Sequence, residues 1–316
     1  RHGSTIIDKV FLPSYNKGEL GGVEMHPGLN KYMMQLRMES KEKENQGKPP
    51  ITSPDVVQTA DFVFSRIPHQ EGDSGRLLLA KQKADRNNRY LVKHAYTDCA
   101  CNEFIYTKLA QAMGYCMPDA VLFQLSPGEK RPYFKTEYII GERYLTVTDP
   151  APTYKKVREQ AKNWEHYFAF YGLYSLTGEG DGVEILLADD DRIYRVDTTD
   201  AFPISNFQLD AAGIHQTIRG LNPQQVMKEN LLSSDLSHVL DSSWCDVHLA
   251  RCLKICPDSL PYFLGPFARI QEIGDDYIDD FLNTLCYFYP DFIGDYFKRY
   301  ISALQKQCAE YWKEKR

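Results

Sequence analysis

The chain has 316 residues, 43% of them apolar and 25% charged, with a net charge of −6. That balance is ordinary for a globular protein and lacks the basic footprint of a nucleic-acid binder, so no direct nucleic-acid binding is expected. No apolar run reaches the ~18 residues of a membrane span.

The N-terminal residues lack the charged-then-apolar pattern of a secretory leader. The eight cysteines show no paired C-x-x-C spacing, and they read as reduced thiols of a cytoplasmic protein.

Residues 5–37 mix short apolar runs with Gly and Pro, and Met38–Asp55 is polar, charged and proline-bearing. Together 5–60 reads as an N-terminal extension with a mobile linker. From Asp61 the pattern changes. ADFVFSRI predicts a strand, and EGDSGRLLLAKQ and RYLVKHA predict two more around the turn ADRNN. Asp98–Gly114 carries apolar residues at helical spacing, with Gly114 as its stop. Ala120–Leu125 and Tyr133–Ile140 predict strands around a Ser-Pro-Gly turn. Beyond Asp149 the chain turns helical, with one long helix over Tyr154–Leu176. A hairpin follows, Val183–Ala188 and Arg192–Val196, around Asp189-Asp190-Asp191. Further helices are expected near 223–232, 245–255, 258–273, 275–287 and 290–314. Strands before helices predict an α+β architecture with a cleft between a unit at 61–145 and a helical unit at 146–316.

Lys93 lies in Leu91-Val92-Lys93-His94, a lysine inside an apolar strand. Leaving its charge buried and unpaired is expensive, so it either faces water from an edge strand or has a partner. Glu103 lies ten residues on, near the start of the next helix. A strand lysine paired with a helix glutamate is an arrangement that aligns nucleotide phosphates. Gly72-Asp73-Ser74-Gly75 brings glycine backbone and the Ser74 hydroxyl close to where phosphates would lie, though an ordinary turn has the same composition. Glu137 and Ile139 fall in the expected connection between units, where backbone groups would read an adenine edge.

The second informative stretch is LTGEGDGVEILLADDDRIYRVDTTDAF, 176–202. Asp197 ends a short apolar strand, a good position for an oxygen ligand to Mg²⁺. Glu179, Asp181 and Glu184 cluster on the glycine-rich loop before it. Either Glu179 or Asp181 could act as a base, and Glu184 as a second metal ligand; a solvated acidic turn is the plain alternative.

Through YLVKHA, Asn102-Glu103 with LAQAMG after it, PDAVLF and YRVDTTDAF, the chain resembles the HipA-like kinases. More distantly it is similar to the phosphatidylinositol-kinase-like branch of the protein kinase superfamily. The resemblance covers roughly residues 60–300. It implies a two-lobed protein-kinase-like fold, with a strand-rich N-terminal lobe and a helical C-terminal lobe. It also implies ATP and Mg²⁺ as cofactors, Lys93 and Glu103 on the phosphates, Asp197 on the metal, and a protein substrate or regulatory partner. The family's catalytic loop has Asp, four residues, then Asn. Here Glu179 and Glu184 fall at those positions, or Asp181 at the first with one gap. The readings left open are a serine/threonine protein kinase, a lipid (phosphoinositide) kinase-like enzyme, a pseudokinase that binds without transfer, and an interaction domain with no nucleotide site.

Overall fold

The computed structural model describes residues 62–72, 75–85, 89–94, 97–123, 133–137, 139, 141–145, 150–180, 182–202, 228–229, 231–289 and 291–316. The expected extension 5–60, Ser74 and Asp181 lie outside the described residues, as does most of the expected helix 223–232. Helix and strand are mixed, with more helix than strand and two small antiparallel sheets.

The first sheet is built from β1 (Phe62–Gly72), β2 (Gly75–Gln82), β3 (Arg89–His94), β4 (Ala120–Phe123) and β5 (Tyr133–Glu137), in the order β1-β2-β3-β5-β4. β3 is the central strand. Lys93 pairs with Leu77 of β2 on one side and Phe134 of β5 on the other, so it is not an edge-strand lysine. Strand alternation puts Val92 and Lys93 on opposite faces. Val92 joins Phe62 and Ala80 in a small apolar cluster, flanked by Phe64, Leu78 and Tyr90. The other face is turned to α1 (Thr97–Ala112), which packs on β4 and β5. Every residue from Ala100 to Ala110 is buried, which places Asn102 and Glu103 in the interior with the apolar side chains.

The strand expected over Tyr133–Ile140 stops at Glu137. A separate strand, β6 (Gly141–Leu145), pairs antiparallel with β7 (Glu184–Ala188), which pairs in turn with β8 (Ile193–Arg195). The expected hairpin is thus present, with β6 added to it as the edge of a second sheet.

The single helix expected over Tyr154–Leu176 is two helices, α2 (Pro150–Gln160) and α3 (His166–Thr177). The break has a cause. Asn163 in the intervening turn accepts from the backbone N–H of Ile193 at 2.8 Å and donates to its carbonyl at 3.0 Å. The backbone N–H of Lys162 donates to the Asp191 carbonyl at 2.7 Å. The turn is spent on holding the β7–β8 hairpin.

α3 is apolar on all sides, which marks a helix at the centre of a core. Every residue from Tyr167 to Thr177 is buried. Around it pack α4 (Ser242–Ile255) and α5 (Leu260–Arg269), with α6 (Asp275–Leu285) and α7 (Asp291–Lys315) beyond. Short 3₁₀ turns bracket α5, so the expected helix 258–273 is shorter at both ends. α4 begins with Asp241, whose carboxylate accepts from the Trp244 N–H at 3.0 Å, a standard use of Asp at an N-cap.

A Cβ on Gly172 would lie 2.3 Å from the Phe263 carbonyl oxygen of α5. Gly172→Ala should therefore cost about 2–3 kcal/mol, despite alanine's better helix propensity, because backbone has to move; a denaturant midpoint at or above wild type would refute this close approach. His248 is 3% exposed and packs against the rings of Tyr171, Tyr174 and Trp244. Burial, helped by Arg251, pulls its pKa down to about 4. A depressed histidine contributes stability above its unfolded value of 6.5 and loses it as the pH falls toward 4. His248→Phe should remove an acid-side loss on the order of 3 kcal/mol, visible as a shallower fall in melting temperature between those two pH values.

Candidate functional site

The site forms where β3, α1 and the segment after β8 meet. Lys93 points from the sheet toward α1, and its ammonium is bonded to Glu103 Oε1. It also donates to Asp197 Oδ1 at 2.9 Å. The lysine therefore bridges its helix neighbour and a carboxylate 104 residues further along the chain. Asn102, next to Glu103, donates from Nδ2 to the Thr199 carbonyl at 3.0 Å. Two consecutive α1 residues thus fix the 197–199 segment, one through backbone and one through a shared ammonium.

Asp197 takes φ = 56°, a left-handed conformation that a non-glycine residue adopts at a cost. The surroundings that hold it there centre on Arg195. This side chain is fully buried and ion-paired with Glu179. Its Nη1 donates to the carbonyls of Glu184 at 3.0 Å, Val196, and Asp197 at 3.5 Å, and its Nη2 to Gly182 at 3.2 Å. One guanidinium thereby ties together both arms of the hairpin and the turn that presents Asp197. Gly178, left-handed at φ = 67°, ends α3 and turns the chain so that Glu179 meets Arg195.

A second arginine faces the same carboxylate from the solvent side. Arg143 on β6 donates through Nε to Glu184 Oε2 at 2.8 Å, and its Nη2 contacts both Glu184 Oε2 and Asp197 Oδ2, the latter at 3.3 Å. Arg143 is 57% exposed, whereas Glu184 and Asp197 are 14% and 32% exposed.

Electrostatics follow this layout. Burial works against charge on Asp197, but Lys93, Arg143 and Arg195 outweigh it and hold its carboxyl at about 2. Glu103 has only a shared lysine against complete burial, and it is pushed up. Burial also lifts Glu184, with the Asp197 charge adding to it. Lys93 is raised: burial alone would lower it, and the two carboxylates more than offset that.

The sequence-based candidates separate into groups. Lys93, Glu103 and Asp197 converge, with Glu184 joined to them through Arg143. Glu179 is 3% exposed and faces Arg195; Thr177 Oγ1 lies 3.2 Å from its other oxygen. Gly75 opens β2 opposite Gly72. Glu137 is the last β5 residue, its backbone paired with Tyr90, and Ile139 lies half-buried between β5 and β6. Arg195 and Arg143 are site residues that the sequence reading did not single out, and Asn102 entered it only as part of a motif, without a role. For Arg195 a signal was present, because strand alternation puts it on the same buried face as Ile193.

Two oxygens of different residues could hold a metal here, Asp197 and Glu184. Among the described residues no three His, Cys, Asp or Glu side chains form a closed metal site. Mg²⁺ in phosphate-binding sites needs no such cage, since it takes one or two carboxylates and completes its shell with phosphate and water.

No family model matches this chain, and no curated protein sequence matches it. Among solved structures it is similar to the Helicobacter pylori proinflammatory kinase CtkA, at 12% identity and a TM-score of 0.43, over 78% of this chain and 96% of that one. A likeness that loose fixes neither fold nor chemistry; the geometry around Lys93 has to stand by itself.

That geometry predicts strong coupling between Lys93 and Glu103. Lys93→Met alone should destabilise by about 3 kcal/mol, because it leaves a buried carboxylate without its counter-ion. Adding Glu103→Leu should recover at least half of the loss. Simple additivity of the two substitutions in urea unfolding would contradict the pairing.

Proposed function

We propose that the chain is an ATP- and Mg²⁺-dependent phosphotransferase of two-lobed, kinase-like architecture, acting on a protein serine or threonine. One observation carries this reading: the Lys93 ammonium, on a central strand, is bonded both to a helix glutamate and to an aspartate from a strand end in the other half of the chain. A buried cation held by two acids is costly to build unless it serves something. Phosphate alignment is a use that needs this placement.

In this mechanism Lys93 binds the α- and β-phosphates, and Glu103 keeps the ammonium aimed at them. Asp197 and Glu184 would hold Mg²⁺, which when bound neutralises charge on the transferring phosphoryl group. The fit is supported by the Arg143 guanidinium, a cation already placed between these two carboxylates. Arg195 and Asn102 position Asp197 without touching substrate. Glu179 is committed to Arg195 and has a positioning role, which leaves the Asp181 carboxylate as the general base that takes the acceptor hydroxyl's proton. Catalysis then consists of alignment and charge neutralisation, which suits a reaction with little covalent chemistry for the protein to perform.

A second reading, nucleotide binding without transfer, is favoured by the locking of Glu179 against Arg195. A chain without a working base would bind ATP and stop there.

Melting-temperature titrations with ATP, with and without Mg²⁺, separate these outcomes. A ligand that binds only the folded state at a hundredfold excess over its Kd stabilises by ~2.7 kcal/mol. Wild type should show a shift that grows with Mg²⁺, Asp197→Asn should lose the metal-dependent part, and Lys93→Met should lose the whole. Label transfer from γ-phosphate to a serine- and threonine-containing protein then distinguishes the enzyme from the binding module. No shift in wild type under any condition would overturn both.

A further inference from the structure

Among the described residues, Arg143 is the cation at the site that no role above requires. Its guanidinium reaches Glu184 through Nε at 2.8 Å and Asp197 through Nη2 at 3.3 Å, and these are the two carboxylates assigned to the metal. It comes from β6, on the strand register Arg143–Leu186, and approaches from solvent with more than half of its side chain exposed. Lys93, by contrast, is 11% exposed and reaches the cluster from the interior. The two cations therefore differ in kind: one is built in, and the other can swing away without opening the core.

We propose that Arg143 is an internal competitor for the divalent cation, a displaceable counter-ion that occupies the metal seat and sets the cation concentration at which the site fills. The inference rests on the phosphotransferase reading of Asp197 and Glu184 as metal ligands, and it adds the residue that governs their occupancy. Charge balance supports displacement over coexistence. With all three acids ionised, Glu103, Glu184 and Asp197 face Lys93 and Arg143, which leaves one excess negative charge. A divalent ion in place of the guanidinium would remove that excess, whereas both together would reverse it. The guanidinium also lies on the solvent side of both carboxylates. Asp197 Oδ1 accepts from Lys93 and Oδ2 from Arg143, so a cation approaching the outer oxygen from solvent meets the guanidinium and is repelled by its charge. The Glu184 oxygen concerned is already bonded twice to the same guanidinium.

The test uses Mn²⁺ alone as the probe, with free ion followed by its electron paramagnetic resonance signal, on wild type and two variants. Arg143→Gln vacates the seat. Lys156→Gln is the control: Lys156 pairs with neighbouring Glu142 at 2.5 Å and lies over the Tyr144 ring, so its loss removes a nearby positive charge while leaving Arg143 on Asp197 and Glu184. Arg143→Gln should bind Mn²⁺ at least tenfold more tightly than wild type, and Lys156→Gln should stay within about twofold. Equal, measurable affinities in wild type and Arg143→Gln would overturn the competition and leave the metal site standing. An equal gain in both variants would also overturn it, by reducing the effect to general charge. No Mn²⁺ binding in any of the three would overturn the metal site as well, while nucleotide binding through Lys93 is read separately from the metal-free ATP titration.

Discussion

The structure depends on one ammonium held by two carboxylates. Lys93 sits in the middle of a five-stranded sheet, Glu103 in the buried Ala100–Ala110 stretch of α1, and Asp197 just after a hairpin strand that belongs to a different sheet. No two of these elements share a hydrogen-bonded ladder. Desolvating three charged groups is unfavourable taken singly, and mutual pairing is what makes the arrangement tolerable. The lysine therefore acts as a register pin: if the sheet, α1 and the 197–199 segment were not all in place, at least one buried charge would be left without a partner.

The pin works only because Asp197 is delivered to it in a conformation that the local sequence would not choose. A left-handed aspartate needs to be held on both sides. Arg195 holds the carbonyls before and at it, and Asn102 holds the Thr199 carbonyl after it. Arg195 can be fully buried because Glu179 supplies its counter-charge from the end of α3. The two buried ion pairs are thus arranged in series. Glu179 satisfies Arg195, Arg195 shapes the turn, and the turn presents Asp197 to Lys93. A substitution at Glu179 would reach the site through backbone geometry, with no contact to it.

Much of this was legible in the sequence, and the parts that were not share a cause. The strands, α1 and the β7–β8 hairpin carry periodicity or turn residues that are local signals. Lys93 and Glu103 could be paired from their ten-residue spacing across one strand and one helix. The break at Asn163 was invisible because apolar spacing runs on from Tyr154 to Leu176; what ends α2 is a pair of hydrogen bonds to Ile193, thirty residues away. β6 was read as part of a connection because its partner, β7, lies about forty residues downstream. Glu179 looked like one acid among several on a glycine-rich loop, and only Arg195, placed inward by the alternation of β8, reveals that it is buried. Arg143 had no local signal at all, since its importance lies entirely in what the β6–β7 pairing brings opposite it.

The two arginines show why residue type alone would have misassigned the site. Both lie close to Asp197, and both contact acids that the sequence marked as candidates. Burial separates their roles. Arg195 has no solvent path, donates mainly to carbonyls, and cannot leave without breaking the hairpin. Arg143 is exposed, donates to carboxylates alone among its observed bonds, and can leave toward solvent once another cation covers the largely buried Glu184 and Asp197. A cation arriving from solvent meets the second and never the first. Accessibility, more than charge, decides which of the cations around Asp197 belongs to the scaffold and which belongs to the site's traffic with its ligands.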